Sequence, residues 1–370
     1  MGYGKASKIL WFLLLGCPSF IQSHPSYARE DVVPGSRYLS ARGAAMGDAF
    51  LPLGDDGASA LFYNPAILGK LKNTQFEPLN LELELNNNFA SDIGSGNFYK
   101  VTSFDGYASE LSHNPDKFQG VRAQLLPSFY MRGFAIGVLF EEHVAAQANS
   151  TGGYHYQSQY QLIPAAGFGF RLADGIVRIG YSLQWVNQAS GTVDLTSAQA
   201  PVGYNQNIAQ GSAFSHNFGL ALTLPVTYLP SINVVARNVL GAQYGSSTLY
   251  SFTNAATGPP PTEPSTVDVS FSVQPKLGAG SVMNFVAEYR DALNQSGVSY
   301  LGRIALGLEL NFVDRFFLRG GIGSGYPCAG IGLKRKSAEF NLTWYSEEIG
   351  NAFLTNRDTR FLMQYQLRAF

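Results

Sequence analysis

Apolar and polar residues alternate with a period of two along much of the chain. Leu79, Leu81, Leu83 and Leu85 fall on one face of an extended segment and Asn80, Glu82 and Glu84 on the other, because successive side chains of a strand point to opposite sides. Ile304, Leu306, Leu308, Leu310 and Phe312 repeat the pattern against Arg303, Glu309 and Asn311, as do runs starting at Val177, Phe218, Val267, Phe340 and Phe361. The charged residues Glu82, Glu84, Glu288, Arg290, Arg303, Glu309, Glu339, Arg360 and Arg368 keep to the second face. The pattern predicts about fourteen strands, near 77–87, 121–131, 134–144, 155–171, 176–188, 214–224, 231–240, 266–274, 281–290, 300–312, 315–322, 327–333, 338–347 and 359–368. Many exceed the about five or six residues usual in soluble strands and match the roughly nine to eleven of membrane-spanning ones.

A soluble sandwich also alternates, so periodicity does not separate the two architectures. Connection lengths do. Arg132-Gly133, Ala173-Asp174-Gly175, Pro225 to Pro230, Pro275 to Gly280, Val313-Asp314 and Lys334 to Ser337 are short, whereas those between them, including 88–120, 145–154, 189–213 and 241–265, are mostly long. Short turns at one end and long loops at the other are what an outer-membrane barrel requires. The expected fold is therefore all-β: a closed antiparallel transmembrane barrel over 76–370, lipid meeting its apolar face and the charges facing the lumen. Tyr154, Tyr156, Trp185, Phe316, Trp344 and Tyr345, near strand ends, are either interfacial girdles or simply good strand formers.

Composition narrows this further. Charged residues make up 14% and aromatics 13%, with 40 Gly, and the net charge of −1 offers no basic field for nucleic acid. Mean hydropathy is −0.02, as it must be when alternating faces cancel. Residues 1–28 read as a signal peptide: Lys5 and Lys8 precede the apolar run Ile9 to Leu15, and Ser26-Tyr27-Ala28 supplies small residues before a cut at Arg29. The rival reading makes Leu14-Leu15-Gly16-Cys17 a lipoprotein-type signal with Cys17 acylated; the apolar stretch runs past it through Phe20 and Ile21. Cleavage at Arg29 leaves Cys328 without an intramolecular disulfide partner. An exported barrel of this kind belongs in a Gram-negative outer membrane, with both termini periplasmic, lipid around it and the barrel-insertion machinery as an assembly partner.

Residues 35–69 do not alternate and are rich in small side chains, so they are not wall, and 29–75 is expected as a separate N-terminal segment. Asp55 and Asp56 are placed to cap a short helix from Ala58 to Tyr63, and Pro65 to end it at Asn64. The run Ala41-Arg42-Gly43-Ala44-Ala45-Met46-Gly47-Asp48-Ala49-Phe50, followed by Asp55-Asp56 and Phe62-Tyr63-Asn64-Pro65-Ala66, resembles the N-terminal signature of the FadL-type superfamily. That superfamily includes long-chain fatty acid transporters and the PorV-like barrels of type IX secretion. The resemblance implies a hatch inside the barrel, held by Asn64, Pro65 and Ala66, and passive uptake of a hydrophobic small molecule such as a fatty acid. Phe50, Leu53, Leu61, Phe62 and Tyr63 are the candidate ligand contacts, with packing of the plug as their other reading. The alternative role is a PorV-like barrel whose loops, 189–213 and 241–265, dock a secreted protein.

Pro127 and Pro164 cannot donate a ladder hydrogen bond, and the strands expected to hold them flank the third. Either they sit at bulges, or they mark a lateral opening through which an apolar ligand leaves, as the resemblance suggests. At the C-terminus Phe370 is out of phase with Phe361, Met363, Tyr365 and Leu367; either a bulge near Ala369 restores the phase or Leu367 ends the last wall strand. Enzyme chemistry finds no support. No His-x-x-x-His or Cys-x-x-Cys spacing suggests a metal, and no nucleophile elbow or phosphate loop is present, so neither cofactor nor metal is expected. Ser215 and His216, as strand neighbours, point to opposite faces, and His143 and His155 read as loop histidines.

Overall fold

The computed structural model describes residues 36–97, 111, 113, 115–149, 153–195, 207–254, 256–278, 280–350 and 352–369. The expected leader, Cys17, Phe370 and parts of the loops 88–120 and 189–213 lie outside these residues. The strands are β1 (Gln75–Asn86), β2 (Gln119–Leu125), β3 (Ser128–Met131), β4 (Phe134–Ala148), β5 (Tyr154–Leu172), β6 (Val177–Leu195), β7 (Ile208–Thr223) and β8 (Ser231–Arg237). They continue as β9 (Thr266–Val273), β10 (Lys276–Gly278), β11 (Ser281–Tyr289), β12 (Ile304–Phe312), β13 (Phe316–Gly323), β14 (Tyr326–Lys334), β15 (Ala338–Glu348) and β16 (Arg357–Ala369).

All pairings are antiparallel, and the sheet closes where β16 meets β1 and β9 meets β11. The result is a barrel of 14 wall strands with two extra pieces. One is β10, a short arm of the β9–β11 turn; the other arises because the expected strand 121–131 is broken into β2 and β3 around Leu126-Pro127. The alternation fixes the faces. Phe170, Phe218, Leu308 and Phe361 are exposed on the outside, whereas Glu82, Glu84, Glu288, Arg303, Glu309, Glu339 and Arg360 are buried within. An apolar exterior around a polar interior is the polarity of a membrane-spanning barrel and the reverse of a soluble sandwich.

Three differences from the sequence reading have local causes. Strands β4, β6 and β7 run several residues beyond their expected long-loop ends, and His143 and His155, read as loop histidines, are strand residues that face inward. Small and polar residues such as Ala145, Ser190 and Gly211 hide those extensions from a hydrophobicity pattern, and the segment 241–265 folds against this side of the barrel, with Ser212 bridged to Gly245 and Tyr160 stacked on Phe252. Tyr345 points inward, is buried and donates to Glu84, which removes it from any girdle; Tyr156 shares the face of Tyr154 and is buried against Leu111, Ala146 and Val193. Finally, β16 continues past Leu367 to pair Ala369 with Phe76, and the extra residue lies in β1 between Phe76 and Leu79. The bulge is therefore across the seam from Ala369, where Pro78 interrupts the first strand.

Candidate functional site

The described part of the N-terminal segment lies inside the lumen. Ser40 caps α1 (Ala41–Ala44) by accepting from Arg42 and Gly43 N–H, and Asp56 caps α2 (Gly57–Phe62) by accepting from Ser59 N–H at 2.6 Å. The sequence anticipated the second helix but not the first, whose single turn carries no apolar period. Asp55 does not cap. It pairs with Arg42 at 2.8 Å.

Wall carboxylates, amides and arginines fix this hatch on several sides. Glu309 on β12 receives a two-pronged bond from Arg42, both distances 2.8 Å, while also holding Arg319 at 2.7 Å. Glu288 on β11 accepts from the backbone N–H groups of Phe50 and Leu51. Tyr38 OH donates to Glu82 and accepts from Asn80 and Gln364. Arg237 on β8 donates to the carbonyls of Phe62 and Tyr63 while anchored by Asp268, and Ser182 and Gln184 donate to that of Leu61.

Asn64 turns the chain by accepting from Ala66 N–H at 3.0 Å and donating to Leu51 O, and Pro65 opens a 3-10 turn over Pro65–Gly69. This turn rests on wall glycines. A Cβ at Gly180 would lie 2.1 Å from the Pro65 carbonyl oxygen, and one at Gly219 would lie 2.3 Å from Asn64 Oδ1. Gly307 and Gly321 admit Met46 in the same way. These glycines were missed in the sequence, although the outward positions of Ile179, Phe218 and Leu306 imply that their neighbours face inward.

The five candidate contacts are brought together, with Phe50, Leu61, Phe62 and Tyr63 almost completely buried and Leu53 nearly so. Phe50 meets Tyr63 edge-on at 5.1 Å, and Leu61 and Phe62 pack in the same cluster as Leu139, Ile163 and Val186 of the wall. Burial and the Asp48 carboxylate raise the Tyr63 phenol above its ordinary range, so it stays a donor to Asp48 at 2.9 Å. Asp48 is itself pushed up by burial, against the opposing pull of Arg290.

Two cavities lie on the long-loop side of the hatch. The larger, about 500 Å³, is bounded by hatch residues Leu39, Ala44 and Asp48 and by Tyr326, Tyr345 and Phe353. The smaller, about 360 Å³, is lined by the inward faces of β4 to β9, including Gln161, Gln184, Asn217 and Thr266. Of the five candidate contacts, Phe62 borders a cavity, the smaller one. The first described residue, Ser36, lines both cavities and so lies on the long-loop side of the hatch.

The two prolines disturb different seams. Pro127 lies between β2 and β3, opposite the bulge at Pro78 in β1. Pro164 coincides with a gap in the β5–β6 ladder, where pairing stops at Leu162↔Asn187 and resumes at Ala165↔Gln184. The Asn187 amide bridges that gap by donating to Leu162 O and Trp185 O. Strand β4, between the two prolines, keeps one register throughout with β2, β3 and β5. Ser215 is buried in the lumen against Asn217 and Asn238, whereas His216 points outward to Tyr181. Among the described residues no group of His, Cys, Asp or Glu is arranged to hold a metal ion.

No protein-family model matches the sequence, and no curated protein matches it. Among solved structures, the CymD monoaromatic hydrocarbon channel is similar over 90% of this chain and 97% of its own, with a TM-score of 0.50 at 9% identity. The chain shares the barrel fold of that channel. The Pseudomonas putida toluene transporter TodX aligns over 89% of this chain and 97% of its own (TM-score 0.47, 11% identity), and a FadL homologue of Pseudomonas aeruginosa over 90% and 98% (TM-score 0.43, 10% identity). The two cavities beside the hatch are the candidate site.

Proposed function

We propose that the protein is an outer-membrane transporter for passive uptake of hydrophobic small molecules, long-chain fatty acids among them, with its short turns toward the periplasm. The cavity between hatch and wall at the long-loop end carries this reading: at about 500 Å³ it falls within the roughly 300–1,000 Å³ of small-molecule sites, and Leu39, Tyr326, Tyr345 and Phe353 give it apolar surface. A molecule captured there would pass the hatch or leave sideways. The sideways route is proposed at the Pro164 gap, because Leu139, Ile163 and Val186 make the inner wall apolar at that level, unlike the polar lumen around it. Phe62 is the ligand contact favoured among the five; Phe50, Leu53, Leu61 and Tyr63 serve to seat the hatch.

The second reading, a barrel that docks an exported protein, is favoured by the rise of β4–β7 beyond the other strands and by the segment 241–265 folded onto them. Uptake into liposomes separates the two. Reconstituted protein is expected to speed entry of radiolabelled toluene or oleate several-fold over protein-free vesicles. Entry at the protein-free rate for both, with a secreted protein retained by the purified barrel, would overturn the transport reading.

A further inference from the structure

The short-turn end of the barrel is basic. Every short turn except Pro225 to Pro230 carries an exposed cation: Arg132 between β3 and β4, Arg171 at the foot of β5, Lys276 in β10, Arg315 between β12 and β13, and Arg335 with Lys336 between β14 and β15. Lys70 and Lys72, where the hatch segment leads into β1, are exposed at the same end, and half-buried Arg178 adds a further charge. The acids there are fewer, and most are engaged. Glu77 and Glu339 share Arg368, Asp314 holds Lys334, Asp55 holds Arg42, and Asp56 caps α2. That leaves Asp174, in the turn that Arg171 braces by donating to the Asp174 carbonyl. Among the described residues no carboxylate lies within ion-pair distance of Arg132, Lys276, Arg315, Arg335 or Lys336. The chain as a whole carries −1, so this excess is local to one end.

The neighbours of these cations identify what faces them. Leu172 follows Arg171, Leu277 follows Lys276, and Val313 and Leu333 stand two residues before Arg315 and Arg335; each is more than half exposed. Leu172 continues the outward row of Phe168 and Phe170, and Leu333 continues that of Ile331, so the lipid-facing wall runs without a break up to the cations. An apolar side chain in hydrocarbon next to a cation at its edge is the arrangement by which Lys and Arg reach lipid phosphates. An acidic protein in the water beyond the turns would meet the same cations but leave the apolar row to lipid. A phosphate that carries its own amine is already neutralised; a headgroup without one supplies the anion that these side chains lack.

We infer that the short-turn rim is a binding surface for anionic phospholipids, with phosphodiester heads among Lys276, Arg315, Arg335 and Lys336 and acyl chains over Leu172, Leu277 and Leu333. The inference requires a membrane-spanning barrel and does not depend on what the barrel transports.

The test is electron paramagnetic resonance on the protein reconstituted in phosphatidylcholine bilayers with a trace of spin-labelled lipid, which reads the fraction of label immobilised at the protein surface. Labelled phosphatidylglycerol is expected to associate about twofold or more as strongly as labelled phosphatidylcholine at low salt. The preference is expected to fall to parity in about 1 M salt, where charge is screened within about 3 Å. In a variant carrying Lys276→Gln, Arg315→Gln, Arg335→Gln and Lys336→Gln, checked for an intact barrel by heat-modifiable migration, most of the preference is expected to disappear at low salt. Parity of the two lipids on the wild-type protein at low salt overturns the proposal, and so does a preference that persists in about 1 M salt. A preference kept by the folded variant also overturns it, because the selecting charges then lie elsewhere. The salt comparison on the wild-type protein decides by itself if the variant fails to fold.

Discussion

Glu309 shows how a residue on the inner face of a wall strand can govern a segment far away in sequence. Its carboxylate is fully buried and joins Arg42 of the hatch to Arg319 and Asn284 of the wall. Two guanidinium groups on one carboxylate remain tolerable in the interior only while that charge is present. Glu309→Gln is therefore expected to weaken hatch docking by about 3–5 kcal/mol, the usual cost of removing one partner of a buried pair. The readout is tryptic cleavage after Arg42 and Lys70, expected to accelerate at least tenfold while the folded barrel migrates unchanged on a gel. An unchanged cleavage rate would show that Arg42 does not hold the hatch. At this scale the sequence was legible as to face but not as to partner: alternation placed Glu309 inward, yet nothing in the spacing of residues 42 and 309 relates them. The inward glycines are a similar case. Gly180 and Gly219 read as strand residues with no role until Pro65 and Asn64 lie against them.

Elements were easier to read where one face had to be apolar. The strand positions came from that requirement, and they fail where it lapses: β4, β6 and β7 continue upward on small and polar residues, and β2 and β3 separate at Pro127. Pro164 is the instructive contrast. It interrupts hydrogen bonding without ending β5, because Val138 still pairs with it on one side and the Asn187 side chain replaces the missing ladder bonds on the other. Asn187→Leu removes that replacement and leaves the Leu162 and Trp185 carbonyls without it, at a cost of about 1–3 kcal/mol if no water enters. Amide exchange measured by mass spectrometry is expected to rise for peptides covering 160–166 and 184–188 and to stay constant in β12–β15. Unaltered exchange at the gap would show that the ladder there does not depend on Asn187. The C-terminal puzzle resolves at this scale too: the phase of β16 is accommodated by its neighbour β1, and one strand's pattern contains no information about a bulge across the seam.

For the whole molecule, alternation and loop sorting gave the closed barrel, and the small-residue segment gave a hatch. The polarity of the space around the hatch followed from the same alternation but was not drawn from it: if the outer face is apolar, the inner face of every wall strand is polar, and a cavity made of those faces inherits Gln, Asn and Arg. The candidate contacts Phe50, Leu53, Leu61, Phe62 and Tyr63 are buried in one cluster that joins hatch to wall. What remains central is that the lumen is closed by a hatch bonded to the wall. Single-channel conductance in planar bilayers addresses this directly, comparing the full protein with a variant lacking residues 36–73. The account predicts a full protein that is closed or nearly closed to ions and a variant that opens in discrete, long-lived steps. A full protein that conducts as freely as the variant would contradict it.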